Sequence, residues 1–124
     1  MIKQINTDTA PQAVGSYSQA VSTDTLIFCS GQIGLDPKTG ELVDGIENQT
    51  RQVMKNLSEV LSASGSGFSS VVKTTIYLKS ISDFTIVNGV YGEYFTDHKP
   101  ARATFAVLDL PKGALIEIEA IASV

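Results

Sequence analysis

Leu115-Ile116-Glu117-Ile118-Glu119-Ala120-Ile121-Ala122 alternates its side chains at a period of two, and that alternation decides the fold. Ile116, Ile118, Ala120 and Ala122 suit a side covered by helices, leaving Leu115, Glu117, Glu119 and Ile121 on the other. Working back, Val71 to Leu78 is a second β-rich run, with Val72, Thr74, Ile76 and Leu78 on one side and Val71, Lys73, Thr75 and Tyr77 on the other. Arg102 to Leu108 is a third, joined to the last strand through Pro111-Lys112-Gly113. Earlier still, Ile2 to Thr7, Ser18 to Val21 and Leu26 to Ser30 read as short strands, and Asp36-Pro37-Lys38-Thr39-Gly40 as a tight turn.

Two segments break this period. Ile46, Thr50, Val53, Leu57, Val60 and Leu61 recur at three- and four-residue spacing, which predicts a helix ending near Ser64-Gly65. Phe84, Val87, Tyr91, Tyr94 and Phe95 share the face of a second helix, with Ser82-Asp83 as its N-cap and Pro100 beyond its end. Helices separated by strands give an α+β fold with a mixed β-sheet and two helices packed on one face. The other face mixes apolar and charged groups, which suggests a subunit partner.

A length of 124 residues and 43% hydrophobic content describe one globular domain over 1–124. Folding at this size removes roughly two thirds of the unfolded surface from water, enough for a core without metal or disulfide. One Cys (Cys29) and one His (His98) cannot build a Cys/His zinc site, and Cys29 reads as a buried thiol in a reducing compartment. A net charge of −4 opposes binding to nucleic acid or anionic lipid. No apolar run approaches the ~18 residues of a membrane span, and the first residues lack a signal-peptide layout, so a cytoplasmic protein is expected.

Among residues able to carry chemistry, Arg102 stands alone in the otherwise uncharged stretch Pro100 to Val107. A lone guanidinium among small residues is suited to a planar anion such as a carboxylate; an internal ion pair or a solvated surface arginine is the alternative. Glu119 sits in a mostly apolar strand, either solvated or held in a cleft where burial raises its pKa toward general acid–base values. Tyr17 follows Gly15-Ser16 in a flexible loop and forms either a pocket wall or core filling. Ser30-Gly31 lets a ligand approach the backbone, or simply turns the chain, and Asn88 borders the apolar stripe of the second helix, where its amide needs a partner.

Together these segments resemble the RidA (YjgF-type) family of small imine deaminases over nearly the whole chain. The resemblance rests on Gly15-Ser16-Tyr17-Ser18-Gln19-Ala20-Val21, Ser30-Gly31-Gln32-Ile33-Gly34 with Asp36 to Gly40, and Val71-Val72-Lys73-Thr74-Thr75. It continues through Asp83-Phe84, Val87-Asn88, Tyr91, Pro100-Ala101-Arg102-Ala103, Leu110-Pro111-Lys112-Gly113 and Ile116 to Ala120. It implies a chorismate-mutase-like sheet assembled as a homotrimer with pockets between subunits. It further implies hydrolysis of 2-imino acids, such as 2-iminopropanoate and 2-iminobutanoate, to 2-oxo acids and ammonia with no cofactor. In that reading Arg102 binds the substrate carboxylate and Glu119 orients or activates water, while Tyr17, Ser30, Gly31, Asn88 and Thr104 shape the pocket. Family members have also been linked to RNA cleavage, translation inhibition and chaperone-like holding, and a non-catalytic sensor of small carboxylates is the rival of another class. Ser16, Thr104 and Leu108 depart from residues common in the family, and Leu108 is expected to share a face with Arg102 and Thr104.

Overall fold

The computed structural model describes residues 1–124, and its six strands form one sheet in the order β1-β2-β3-β6-β4-β5. These are β1 (Lys3–Ile5), β2 (Ala20–Ser22), β3 (Leu26–Ile33), β4 (Val71–Leu78), β5 (Ala101–Ala106) and β6 (Ile116–Ser123). Only β4 and β5 pair in parallel; every other pairing is antiparallel. A parallel pair needs a long crossover, and here it contains α2 (Phe84–Tyr94). The other helix, α1 (Ile46–Ala63), links β3 to β4.

In β6 the expected parity holds residue by residue: Ile116, Ile118, Ala120 and Ala122 are buried, while Glu117, Glu119 and Ile121 on the opposite face are only partly covered. Against the buried side, α1 packs Val53, Met54, Leu57, Val60 and Leu61. Each such side chain contributes about 1.5–3 kcal/mol on burial. Three polar side chains buried on this helix find partners. Thr50 Oγ1 donates to the Ile46 carbonyl (2.7 Å), and Asn56 Nδ2 donates to the Leu35 carbonyl (2.9 Å). Gln49 Nε2 donates to the Val43 carbonyl (3.0 Å), and Gln49 Oε1 accepts from the Leu115 amide (2.9 Å). The helix closes where Ser64 Oγ donates back to the Val60 carbonyl (2.9 Å) and Gly65 adopts φ 78°, a left-handed value that favours glycine.

Several local expectations need correction. A bulge between Val71 and Lys73 shifts the parity of β4, so Val71 is buried and Val72 is exposed, the reverse of strict alternation. Ser82-Asp83 does not cap α2 through the Asp83 side chain; instead Ser80 Oγ accepts from the Ser82 amide and caps a 3-10 turn leading into the helix. β5 ends at Ala106, so Leu108 lies beyond the strand, is 88% exposed, and does not share the face of Arg102 and Thr104. β3 runs three residues past Ser30, to Ile33, and carries a second irregularity between Cys29 and Gln32. No helix is long and apolar enough to cross a membrane.

The face away from the helices remains uncovered. Phe28, Val72 and Phe105 are exposed there, with Ile121 and the polar Lys73, Thr75, Tyr77, Glu117 and Glu119 beside them.

Candidate active site in two halves

β5 delivers Arg102 to the helix-covered side of the sheet, level with buried Thr74 of β4. There its Nη1 donates to Asn88 Oδ1 of α2 (2.8 Å), and its guanidinium carbon lies 5.1 Å from the Tyr91 ring centroid and 5.4 Å from that of Phe84. The Tyr91 hydroxyl is itself tied to Thr74 Oγ1 (2.7 Å), so the platform beneath the arginine is fixed from the core. Burial pushes the Tyr91 phenol above its ordinary value of 10.0. None of the ion pairs in the chain involves Arg102, which removes the internal salt bridge as its explanation. The guanidinium keeps a hydrogen-bonding edge for an anion, with its plane set by Asn88 and two rings. It borders a hollow of about 430 Å³ whose wall also includes Asn88, Tyr91, Lys99 and Pro100. Thr104 lies two residues further along the same face of β5, level with Ile76.

The second cluster forms at the irregularity in β3. The ladder to β6 passes from Cys29–Ala120 to Gln32–Ile118 and skips Ser30 and Gly31, as a bulge requires. Ser30 Oγ donates to the Ser18 carbonyl (2.6 Å) and the Ser30 amide to the Gln19 carbonyl (3.0 Å), which pins the Tyr17 loop to this bulge. A hollow of about 350 Å³ opens here, lined by Tyr17, Ser30, Gly31, Gln19, Lys112 and Glu117 among others. Gly31 lacks a side chain for a steric reason: a Cβ at this position would collide with Glu117 Oε2.

Glu117, which the sequence reading did not single out, is therefore the carboxylate at this cluster. Glu119 is not: its Oε2 accepts from the Tyr77 hydroxyl (2.8 Å), and it lines a separate hollow of about 220 Å³ with Phe28, Lys73 and Thr75. Burial, and then the nearby charge of Glu119, push Glu117 above its ordinary value of 4.5. Tyr77 is likewise raised, first by its hydrogen bond to Glu119. Two glutamates two residues apart share a face, so alternation alone could not choose between them; the close approach of the Glu117 side chain to Gly31 does.

Gln19 also escaped notice. It is 1% exposed; its Nε2 donates to the carbonyls of Pro11 (2.7 Å) and Thr7 (3.1 Å), and its Oε1 accepts from the Thr7 amide (2.6 Å). It anchors the segment leading to Tyr17, which is 53% exposed. Cys29 is buried and its thiol is pushed up to about 12 by desolvation, which leaves it unreactive as a nucleophile.

The expected site residues thus divide. Arg102 and Asn88 meet on the helix side of edge strand β5, with Thr104 on the same face; Tyr17, Ser30 and Gly31 meet Glu117 across the β3–β6 region, on the uncovered side. One chain does not bring the two groups together. A direct test of the second cluster is Gly31→Ala. The backbone there is not left-handed and the obstructing atoms end a flexible side chain, so the variant folds, but the Glu117 carboxylate is displaced. Any turnover that depends on this carboxylate is expected to fall by up to about 10²-fold, with Tm little changed.

The family profile described as "Endoribonuclease L-PSP" matches residues 7–124. The chain is 53% identical to the 2-iminobutanoate/2-iminopropanoate deaminase of Rattus norvegicus, over 97% of this chain and 88% of that protein. Its fold superposes on a crystal structure described as a putative endoribonuclease L-PSP from Entamoeba histolytica with TM-score 0.97 and 51% identity, covering 100% of both chains. A protein of the conserved Rid family from Yersinia pestis gives TM-score 0.98 at 47% identity, again covering 100% of both chains. With a matched profile over nearly its whole length and relatives at this identity, the chain belongs to the RidA (YjgF-type) family.

Proposed function

We propose that this protein is a 2-imino acid deaminase whose pockets are completed between copies of the chain, in a homotrimer. The relatives named deaminases at about half identity support the activity. The observation that carries the arrangement is the separation of the two half-sites: Arg102 with Asn88 in one place, Glu117 with Tyr17, Ser30 and Gly31 in another. In a closed ring each copy lends one half to a neighbour and receives the other half in return. The exposed Phe28, Val72 and Phe105 on the uncovered sheet face supply apolar surface for such contacts.

The chemistry asks little of the protein. A protonated imine carbon is already electrophilic, so positioning, a carboxylate clamp and a proton acceptor suffice. Arg102 takes the substrate carboxylate through its free guanidinium edge. Glu117 accepts a proton as water oxygen bonds to the imine carbon, and the tetrahedral carbinolamine forms. The proton returns to nitrogen, the C–N bond breaks as the carbinolamine hydroxyl gives its own proton to Glu117, and ammonia and the 2-oxo acid leave. A carboxyl held above its ordinary value is better matched to this exchange near neutral pH than an unperturbed one. The cytoplasmic setting expected from the sequence belongs to the same reading. The endoribonuclease description of the family profile finds less support in this chain: its charge is −4, and its single His packs Nε2 against the Val71 carbonyl.

Mixing separately inactive subunits tests the shared pocket. Arg102→Ala and Glu117→Gln chains, each with at most about 1% of wild-type turnover, are unfolded, mixed in equal amounts and refolded together. One pocket in three of each mixed trimer then receives both intact halves, about one quarter of all pockets once the two homotrimers are counted, and about a quarter of wild-type ammonia release returns. Hybrids that form but stay silent would sink the shared pocket; no acceleration of imine decay by the wild type would sink the activity.

A further inference from the structure

We infer that the pocket accepts imino acids carrying a second carboxylate, with Arg102 on the α-carboxylate and Lys99 on the distal one; this rests on the role given to Arg102 above. The hollow of about 430 Å³ beside Arg102 lies in the ~300–1,000 Å³ range of small-molecule sites. Its lining includes two cations, Arg102 and Lys99, and no carboxylate. Neither cation is spent on an ion pair within the chain. Lys99 Nζ donates to the Thr96 carbonyl (3.1 Å), which steadies the ammonium and leaves two of its three N–H groups for another acceptor.

Both cations border one hollow, which has room for a four- or five-carbon diacid hydrogen-bonded at each end. Tyr91 and Phe95, which line the same hollow, offer no competing charge and suit the methylene carbons of such a molecule. Nor does the other half-site cancel this excess, since the hollow at Gly31 contributes one acid, Glu117, and one cation, Lys112. The supplying reaction is accordingly one that oxidises or dehydrates an amino acid with an acidic side chain and releases its imine.

The test compares kcat/KM for 2-iminosuccinate and 2-iminopropanoate, generated in situ from aspartate and alanine by amino-acid oxidases. In the wild type the ratio favours the diacid. Lys99→Met lowers that ratio about fivefold, Lys99→Arg restores it, and 0.5 M salt shrinks it in the wild type, as an exposed charge contact must. An equal ratio in wild type and Lys99→Met overturns the assignment. Should neither imine decay faster with the protein, the deaminase reading fails, and calorimetric binding of oxaloacetate against pyruvate decides the role of Lys99 alone. A diacid preference lost in Lys99→Met upholds it; one that persists, or that never existed, overturns it.

Discussion

Arg102→Ala is expected to lower kcat/KM for 2-iminopropanoate by about 10²–10⁴-fold while leaving the fold and assembly intact. Two charge-assisted hydrogen bonds to a carboxylate are worth about 1.5–3 kcal/mol each, and their joint loss gives that range. The side chain is exposed, and within the chain it forfeits only one hydrogen bond to Asn88 and two ring contacts. Exposed contacts of this kind contribute about 0.5–1 kcal/mol apiece, so the three together lower Tm by roughly 5–15 °C without unfolding the chain at 25 °C. Arg102→Lys keeps the charge but loses the planar fork, and recovers only part of the rate. Ammonia release together with thermal unfolding and light scattering checks all three statements. A rate within twofold of wild type in Arg102→Ala would remove the clamp from the mechanism.

What could be read from the chain follows from where periodicity is strong. β6 alternates without interruption and α1 repeats its apolar stripe over eighteen residues, so both are legible from the pattern alone. The bulges at Val72 and at Ser30-Gly31 are not, because an extra residue in one strand is defined by its partner's register. That same blind spot governs the site. Arg102 and Asn88 stand out as a lone cation in an uncharged strand and an amide at the margin of an apolar stripe, and the structure joins them. Glu117 and Glu119 look equivalent in sequence, and only the packing of the Glu117 carboxylate against Gly31 separates them. Gln19 is a buried amide fixing a loop, a role visible only once the loop's carbonyls are placed around it.

Glu117→Gln is expected to reduce turnover by about 10²–10⁴-fold, the range of general acid–base catalysis, and at the same time to stabilise the fold at neutral pH. The sign follows from the raised pKa. A carboxyl whose folded-state value lies above its unfolded one contributes stability that is complete below the unfolded value and is lost as pH rises through the folded one. Glu117 is raised above 4.5 by burial and by Glu119, so at pH 7 its ionised form weighs against the folded state. The neutral amide has no such penalty, and its Tm exceeds that of wild type at pH 7, the gap closing as pH falls below about 4, where both side chains are uncharged. Glu119→Gln separates the two glutamates. It removes the neighbouring charge that helps raise Glu117, so the acidic limb of the rate profile moves to lower pH while most of the turnover remains. Full activity in Glu117→Gln with loss in Glu119→Gln would return the catalytic role to Glu119. A Tm gap that widens toward acid would show that burial of the Glu117 charge is not what the fold works against.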